Sequence, residues 1–126
     1  MSLFRRLFGG GRREPEVKPV LAPAAEIQTL EPQAAAELIR TTPDLQLLDV
    51  RSAAEHQGRH IPGSRLIPLP ELPERMAELD PARPLLVYCE HGMRSWSACS
   101  LLSQSGFARL YNLSGGMSEW EARVRA

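Results

Sequence analysis

The chain has 126 residues, 43% of them hydrophobic, with 15 basic and 15 acidic side chains and a formal net charge of zero. That size suits one globular domain with a real core, and the balanced charge argues against a nucleic-acid-binding protein, which usually carries a basic face. Two cysteines, Cys89 and Cys99, exclude a disulfide framework and a paired-CxxC metal cluster; no apolar run approaches the roughly 20 residues that cross a bilayer.

Residues 1–11 interleave Leu3, Phe4, Leu7 and Phe8 with Arg5 and Arg6. They lack the continuous apolar region and small-residue cleavage site of a secretory signal. Gly9-Gly10-Gly11 cuts the segment short of a stable amphipathic helix, so it reads as a disordered leader and not as a membrane contact. Residues 12–23 mix charges with Pro15, Pro19 and Pro23 and read as an extended linker. A flexible N-terminal extension over 1–23 and a domain over 24–126 are therefore expected.

Residues 26–30 alternate apolar and polar and predict a first strand. Pro32 suits the first turn of a helix, followed by the good formers of 33–38. Residues 45–50 are nearly all apolar, as in a sheet covered on both faces. Ser52 stands three residues before Glu55, the capping-box spacing of a short helix. A turn at Pro62-Gly63 precedes a third strand over 65–67, and Leu72, Met76 and Leu79 predict a helix over 71–79 with Pro73 in its first turn. A strand over 85–88 and a helix over 94–105 follow, with Gly106 as its C-cap. Residues 110–113 form the fifth strand and 114–123 a final helix. Alternating strands and helices imply an α/β domain with a mostly parallel sheet.

Chemistry concentrates where the strand over 85–88 ends. Cys89 is followed by Glu90, His91, Gly92, Met93, Arg94 and Ser95, a strand–cysteine–tight loop–helix arrangement. In parallel sheets ligands bind outside the carboxyl ends of the strands. Successive loop amides can converge into an anion-binding nest and favour the thiolate, which is the nucleophile. Arg94 adds a fork of donors for an oxyanion.

The same stretch resembles the active-site loop of rhodanese-type sulfurtransferases. Leu47-Leu48-Asp49-Val50-Arg51, Glu55 and His60-Ile61-Pro62-Gly63-Ser64 resemble that family's "LDVR…E…HIPGA" pattern, and 106–117 with Trp120 resemble its closing segment. The resemblance covers 24–126 and implies a rhodanese-like α/β fold, a five-stranded parallel sheet with helices on both faces. It also implies sulfur transfer through a Cys89 persulfide, from a donor such as thiosulfate to cyanide, a thiol or a protein, with no cofactor and no metal. Arg94 would act with Cys89, and Glu90, His91, Gly92, Met93 and Ser95 would shape the substrate loop. Asp49, Arg51, Glu55 and His60 match positions with a mainly structural role, and Arg51 and Glu55 are spaced to pair.

Related cysteine phosphatases use a Cys-x5-Arg loop, whereas Cys89 to Arg94 is Cys-x4-Arg, which favours sulfur transfer over a phosphatase or arsenate reductase. Glu90 would repel a dianionic donor, which keeps a persulfide carrier or relay with a protein partner as the alternative; a protonated His91 would offset it. His56 stands where the family usually has an aromatic and Arg59 where it usually has glycine, so the turn there is expected to be altered. His56 and His60 are four apart, but no third zinc ligand is evident. Cys99 reads as a core residue in preference to a resolving thiol, and the Asn112-Leu113-Ser114 sequon carries no weight without a secretory signal. A nucleophilic cysteine that must stay reduced fits the cytoplasm.

Overall fold

The computed structural model describes residues 25–125; the leader and linker at 1–23 lie outside the described residues. Five strands, β1 (Ile27–Leu30), β2 (Gln46–Asp49), β3 (Arg65–Leu66), β4 (Leu85–Tyr88) and β5 (Leu110–Leu113), form one sheet in the order β1-β5-β4-β2-β3. Every pairing is parallel, so all the strand C-termini open at one end. Helices α1 (Pro32–Thr41), α2 (Ala53–Gly58), α3 (Leu72–Arg75), α4 (Met93–Ser103) and α5 (Gly116–Trp120) complete the fold. Among the described residues no helix is long and apolar enough to cross a membrane.

The central strand shows why the fold closes on both faces. All four β4 residues are buried, and their side chains alternate between two cores, as strand pleating requires. Leu85 and Val87 pack with Leu48, with Leu72 of α3 and with Ala98, Cys99 and Leu102 of α4. Leu86 and Tyr88 pack with Ala35 of α1, Leu113, and Met117 and Trp120 of α5. Burial stabilises each such aliphatic side chain by about 1.5–3 kcal/mol, which offsets the roughly 1–2 kcal/mol of backbone entropy lost per fixed residue.

Most predicted elements form close to their expected bounds. Pro32 opens α1. Ser52 closes a full capping box on α2, its hydroxyl accepting from the Glu55 amide (3.2 Å) and its own amide donating to the Glu55 carboxylate (2.9 Å). The Phe107 amide reaches back to the Leu102 carbonyl (3.2 Å) around Gly106, closing α4 as expected.

Two helices differ. The helix expected over 71–79 is instead a 3₁₀ turn (Leu69–Glu71), the single turn α3 and a second 3₁₀ turn (Met76–Glu78). Pro70 and Pro73 withhold two backbone donors there, and short i→i+3 turns still bring Leu72 and Leu79 into the core. The last helix starts at Gly116, two residues later than expected, and widens into a π-helical turn over Glu121–Arg125.

Candidate active site

Cys89 directly follows β4 at the open end of the sheet and is 1% exposed. Its Sγ accepts from the amides of Gly92 (3.1 Å) and Ser95 (3.3 Å) and donates its proton to Ser95 Oγ (3.3 Å). Two backbone donors converging on one sulfur meet negative charge there without any reorganisation. Gly92 carries φ 103°, in the left-handed region that favours glycine, where the loop turns back onto the sulfur. Ser95 Oγ in turn donates to Asn112 Oδ1 of β5 at 2.5 Å.

The start of α5 holds the loop from behind. The Met117 amide donates to the Cys89 carbonyl (2.8 Å) and the Ser118 amide to the Glu90 carbonyl (3.1 Å). In a trans peptide the N–H points opposite the C=O, so the Glu90 and His91 amides are turned away from α5. Gly116 permits this approach. A Cβ there would lie 2.5 Å from Cys89 O, Glu90 C and Glu90 O.

Arg94 does not extend freely over the loop. Its guanidinium grips Glu55 bidentately, Nη1 to Oε1 at 2.9 Å and Nη2 to Oε2 at 3.0 Å. Glu55 thereby serves both the α2 cap and the sulfur-bearing loop. The Arg94 hydrogen bond foremost, then the Ser52 amide, pulls the Glu55 carboxyl from its ordinary 4.5 down to about 2. A carboxylate depressed in the folded state contributes stability that is full above pH 4.5 and lost as pH falls toward 2. Glu55→Gln, which keeps the cap acceptor, is expected to flatten the unfolding midpoint between about pH 5 and pH 2, as thermal melts across that window would show. An unchanged slope would place the acid sensitivity elsewhere.

The expected Arg51–Glu55 pairing does not form. Arg51 lies two residues beyond Asp49 and its side chain folds back along β2, with Nε to Oδ1 at 3.0 Å and Nη2 to Oδ2 at 2.8 Å. Both side chains are buried. Arg51 also donates to Glu90 Oε1 (3.0 Å) and the Arg59 carbonyl (2.8 Å), while His56 donates Nδ1–H to Asp49 Oδ2 (2.9 Å). Burial works to raise the Asp49 carboxyl, but the hydrogen bonds from Arg51 and His56 outweigh it and hold the group below the usual carboxylate range.

Glu90, expected at the mouth as a repulsive charge, is tied inward to Arg51, with Arg59 Nη2 at 3.5 Å. Arg51, which Glu90 shares with Asp49, and Arg59 partly offset its charge. The two departures from the family pattern fall in this network: His56 supplies a bond to Asp49, and Arg59 faces Glu90 and Glu121. His60 donates Nδ1–H to the His56 carbonyl (2.8 Å), and the two rings stack 3.8 Å apart. The Ile61 to Ser64 turn is pinned to the Tyr88 hydroxyl by the Ile61 amide (3.1 Å) and Ser64 Oγ (2.8 Å).

His91 and Met93 are exposed in the loop. A cleft of about 350 Å³ lies between Met93, Trp96 and Asn112, and another of about 300 Å³ between Val50, Leu69 and Arg94. Another cavity, about 510 Å³, sits at the opposite end of β2 beside Leu45 and Arg83, away from the chemistry. Cys99 is a core residue; burial first, and the Cys89 charge second, push its thiol up to about 12.

Three features escape a reading of the sequence: the Glu55–Arg94 pair, the close approach at Gly116, and the Ser95–Asn112 bond. Their partners are far apart in the chain, so no local spacing announces them.

Known proteins match this arrangement in sequence and in fold. A rhodanese-like domain model matches residues 31–123. The chain is 40% identical over 81 residues to YqhL of Bacillus subtilis, described as uncharacterized, and the match spans 64% of each chain. It is 33% identical over 94 residues to a sulfurtransferase of Allochromatium vinosum, 75% of this chain and 88% of that one. It is also 35% identical over 79 residues to the thiosulfate sulfurtransferase GlpE of Pseudoalteromonas translucida, 63% of this chain and 75% of the other. The crystal structure of a rhodanese-related protein from Thermoplasma volcanium superposes with a TM-score of 0.69 at 30% identity, covering 77% of this chain and 93% of that one. Sequence and fold agree, and the chain belongs to the rhodanese-like domain family, whose relatives named above include sulfurtransferases.

Proposed function

We propose that this protein is a sulfurtransferase in which Cys89 carries the sulfur as a persulfide. The observation that carries the reading is the pair of backbone amides, Gly92 and Ser95, directed at the Cys89 sulfur. In the first half-reaction the Cys89 thiolate attacks the outer sulfur of a donor such as thiosulfate. The donor's S–S bond breaks, sulfite leaves with the electron pair, and Cys89 becomes a persulfide. In the second, a nucleophile such as cyanide, a thiol or a protein thiolate takes the outer sulfur, and the S–S electron pair returns to Cys89. Each step is a displacement at sulfur, so no outside oxidant or reductant enters.

The Glu90 and His91 amides, turned away from α5, would hold the anionic donor and then the persulfide. Arg94 is held in a fixed direction beside the loop by its pairing with Glu55; Glu90, bonded to Arg51 and facing Arg59, is partly screened from a dianionic donor. Met93 borders the opening, and Asp49 and His60 shape the supporting loops. Ser95 stands at the position where a phosphatase loop would carry arginine, and its amide is spent on sulfur. A reduced thiol of this kind suits the cytoplasm.

A second reading, a persulfide relay to a protein partner, draws on Met93 and Trp96, large apolar side chains exposed at 78% and 47% beside the loop. A putative sulfur carrier protein of Bacillus subtilis, YrkF, is 31% identical over 101 residues, 55% of its length. Thiocyanate production from thiosulfate and cyanide tests the main reading: wild type is expected to turn over and Cys89→Ser to fall to background. No turnover with thiosulfate but rapid loading from a persulfide-bearing protein would favour the relay.

A further inference from the structure

We propose that Asn112 is a positioning residue for sulfur transfer, acting on Cys89 through the Ser95 hydroxyl as a hydrogen-bond acceptor when the sulfur is protonated and as a donor when it is an anion. The inference rests on the reading of Cys89 as the nucleophile.

Asn112 sits on β5, beside Val87 of β4, and is 5% exposed. Leu110 and Val87 on the same face pack into an apolar core with α4. A carboxamide buried there costs free energy unless it is bonded. Its side chain meets Ser95 Oγ at 2.5 Å, and Ser95 Oγ meets Cys89 Sγ at 3.3 Å. The three residues form one chain of contacts from the sheet to the sulfur.

Proton accounting shows what the chain does. The Ser95 hydroxyl has one proton and two lone pairs. With a protonated thiol, S–H donates to Ser95 Oγ and the hydroxyl donates to Asn112 Oδ1. When the thiol proton passes to solvent, the sulfur has only acceptor capacity, so the Ser95 proton turns to it. Ser95 Oγ then needs a donor. A half-turn of the Asn112 carboxamide presents Nδ2–H in place of Oδ1 and completes a chain running Asn112 to Ser95 to Cys89. The same polarity is needed when the second half-reaction returns the electron pair to Cys89. Aspartate at 112 could accept but not donate, and leucine could do neither.

The test is the pH profile of Cys89 alkylation by iodoacetamide, with the labelled cysteine identified by peptide mapping and folding checked by circular dichroism. Asn112→Leu is expected to move the midpoint up by about one pH unit, a tenfold slower alkylation below the midpoint, the scale of one hydrogen bond acting through the Ser95 hydroxyl. Asn112→Asp, nearly isosteric, is expected to move it further by adding negative charge. Ser95→Ala should shift the profile alone, and Asn112→Leu should then add nothing in that background. An unshifted midpoint in folded Asn112→Leu, or an equal shift with and without Ser95, would overturn the proposal. Cys89→Ser assayed in parallel separates the two claims. If it still makes thiocyanate, the nucleophile assignment fails; if it is inactive while Asn112→Leu is unshifted, the Asn112 relay alone fails.

Discussion

Replacing Gly116 by alanine is expected to cut sulfur transfer about 100-fold, the scale of a misplacement of one ångström at a reacting centre. Two effects add. Gly116 carries φ 63°, a conformation that costs an alanine on the order of 1–2 kcal/mol. The new methyl would also lie 2.5 Å from the carbonyl oxygens of Cys89 and Glu90, which are backbone atoms and cannot swing aside. The loop must move away from α5, and the Met117 and Ser118 amides lose the carbonyls they hold. The Glu90 and His91 amides then lose their fixed direction. If those amides bind the donor and stabilise the transition state, as proposed, steady-state kinetics with thiosulfate should show both a lower kcat and a higher KM. Wild-type kinetics in a folded Gly116→Ala protein would show that α5 does not orient the loop.

Arg51→Met is expected to be the most damaging change to stability away from the hydrophobic core. Removing one member of a buried ion pair leaves the other charged without a partner, at about 3–5 kcal/mol. Asp49, fully buried, would keep only the His56 bond and the backbone amide of residue 51, with no guanidinium to balance its charge. Glu90 would also lose its 3.0 Å tie. For a domain of this size the thermal midpoint should fall by more than about 10 °C. The double variant Asp49→Leu/Arg51→Met removes both charges and should recover much of that loss. A single variant no worse than the double would mean the pair does not carry stability in this way. The double variant should still load sulfur more weakly than wild type, because Glu90 is left without Arg51 beside the loop.

The fold was legible where the information is local. Leu85 to Tyr88 is an uninterrupted apolar run, and that is the condition for a strand covered on both faces. Ser52 and Glu55 cap α2 at a fixed spacing that any reader of the chain can see. Cys89 announces itself by standing between that strand and a glycine-containing loop. The site's supporting bonds are another matter. Arg51 and Glu55 satisfy a helical spacing rule, yet Glu55 goes to Arg94 and Arg51 to Glu90, each 39 residues away. Spacing rules describe pairs within one element, and these pairs exist only because parallel strands bring successive loops to one end of the sheet. No local spacing marks Gly116 as the point where helix and loop backbones touch. Asn112 offered only a glycosylation sequon, because its contact with Ser95 depends on which face of β5 meets α4. The broken helix around Pro73 has a local cause that was visible, since Pro70 and Pro73 stand in the sequence.

The most direct measurement of the central claim is the intact mass of the reduced protein after thiosulfate treatment, for wild type and Cys89→Ser side by side. Wild type is expected to gain the mass of one sulfur atom, to lose it on addition of cyanide with release of thiocyanate, and to carry it on the peptide containing Cys89. Cys89→Ser should show neither gain nor release. A sulfur adduct that persists in Cys89→Ser, or a wild type that stays unmodified with both thiosulfate and a persulfide-bearing donor, would contradict Cys89 as the sulfur carrier.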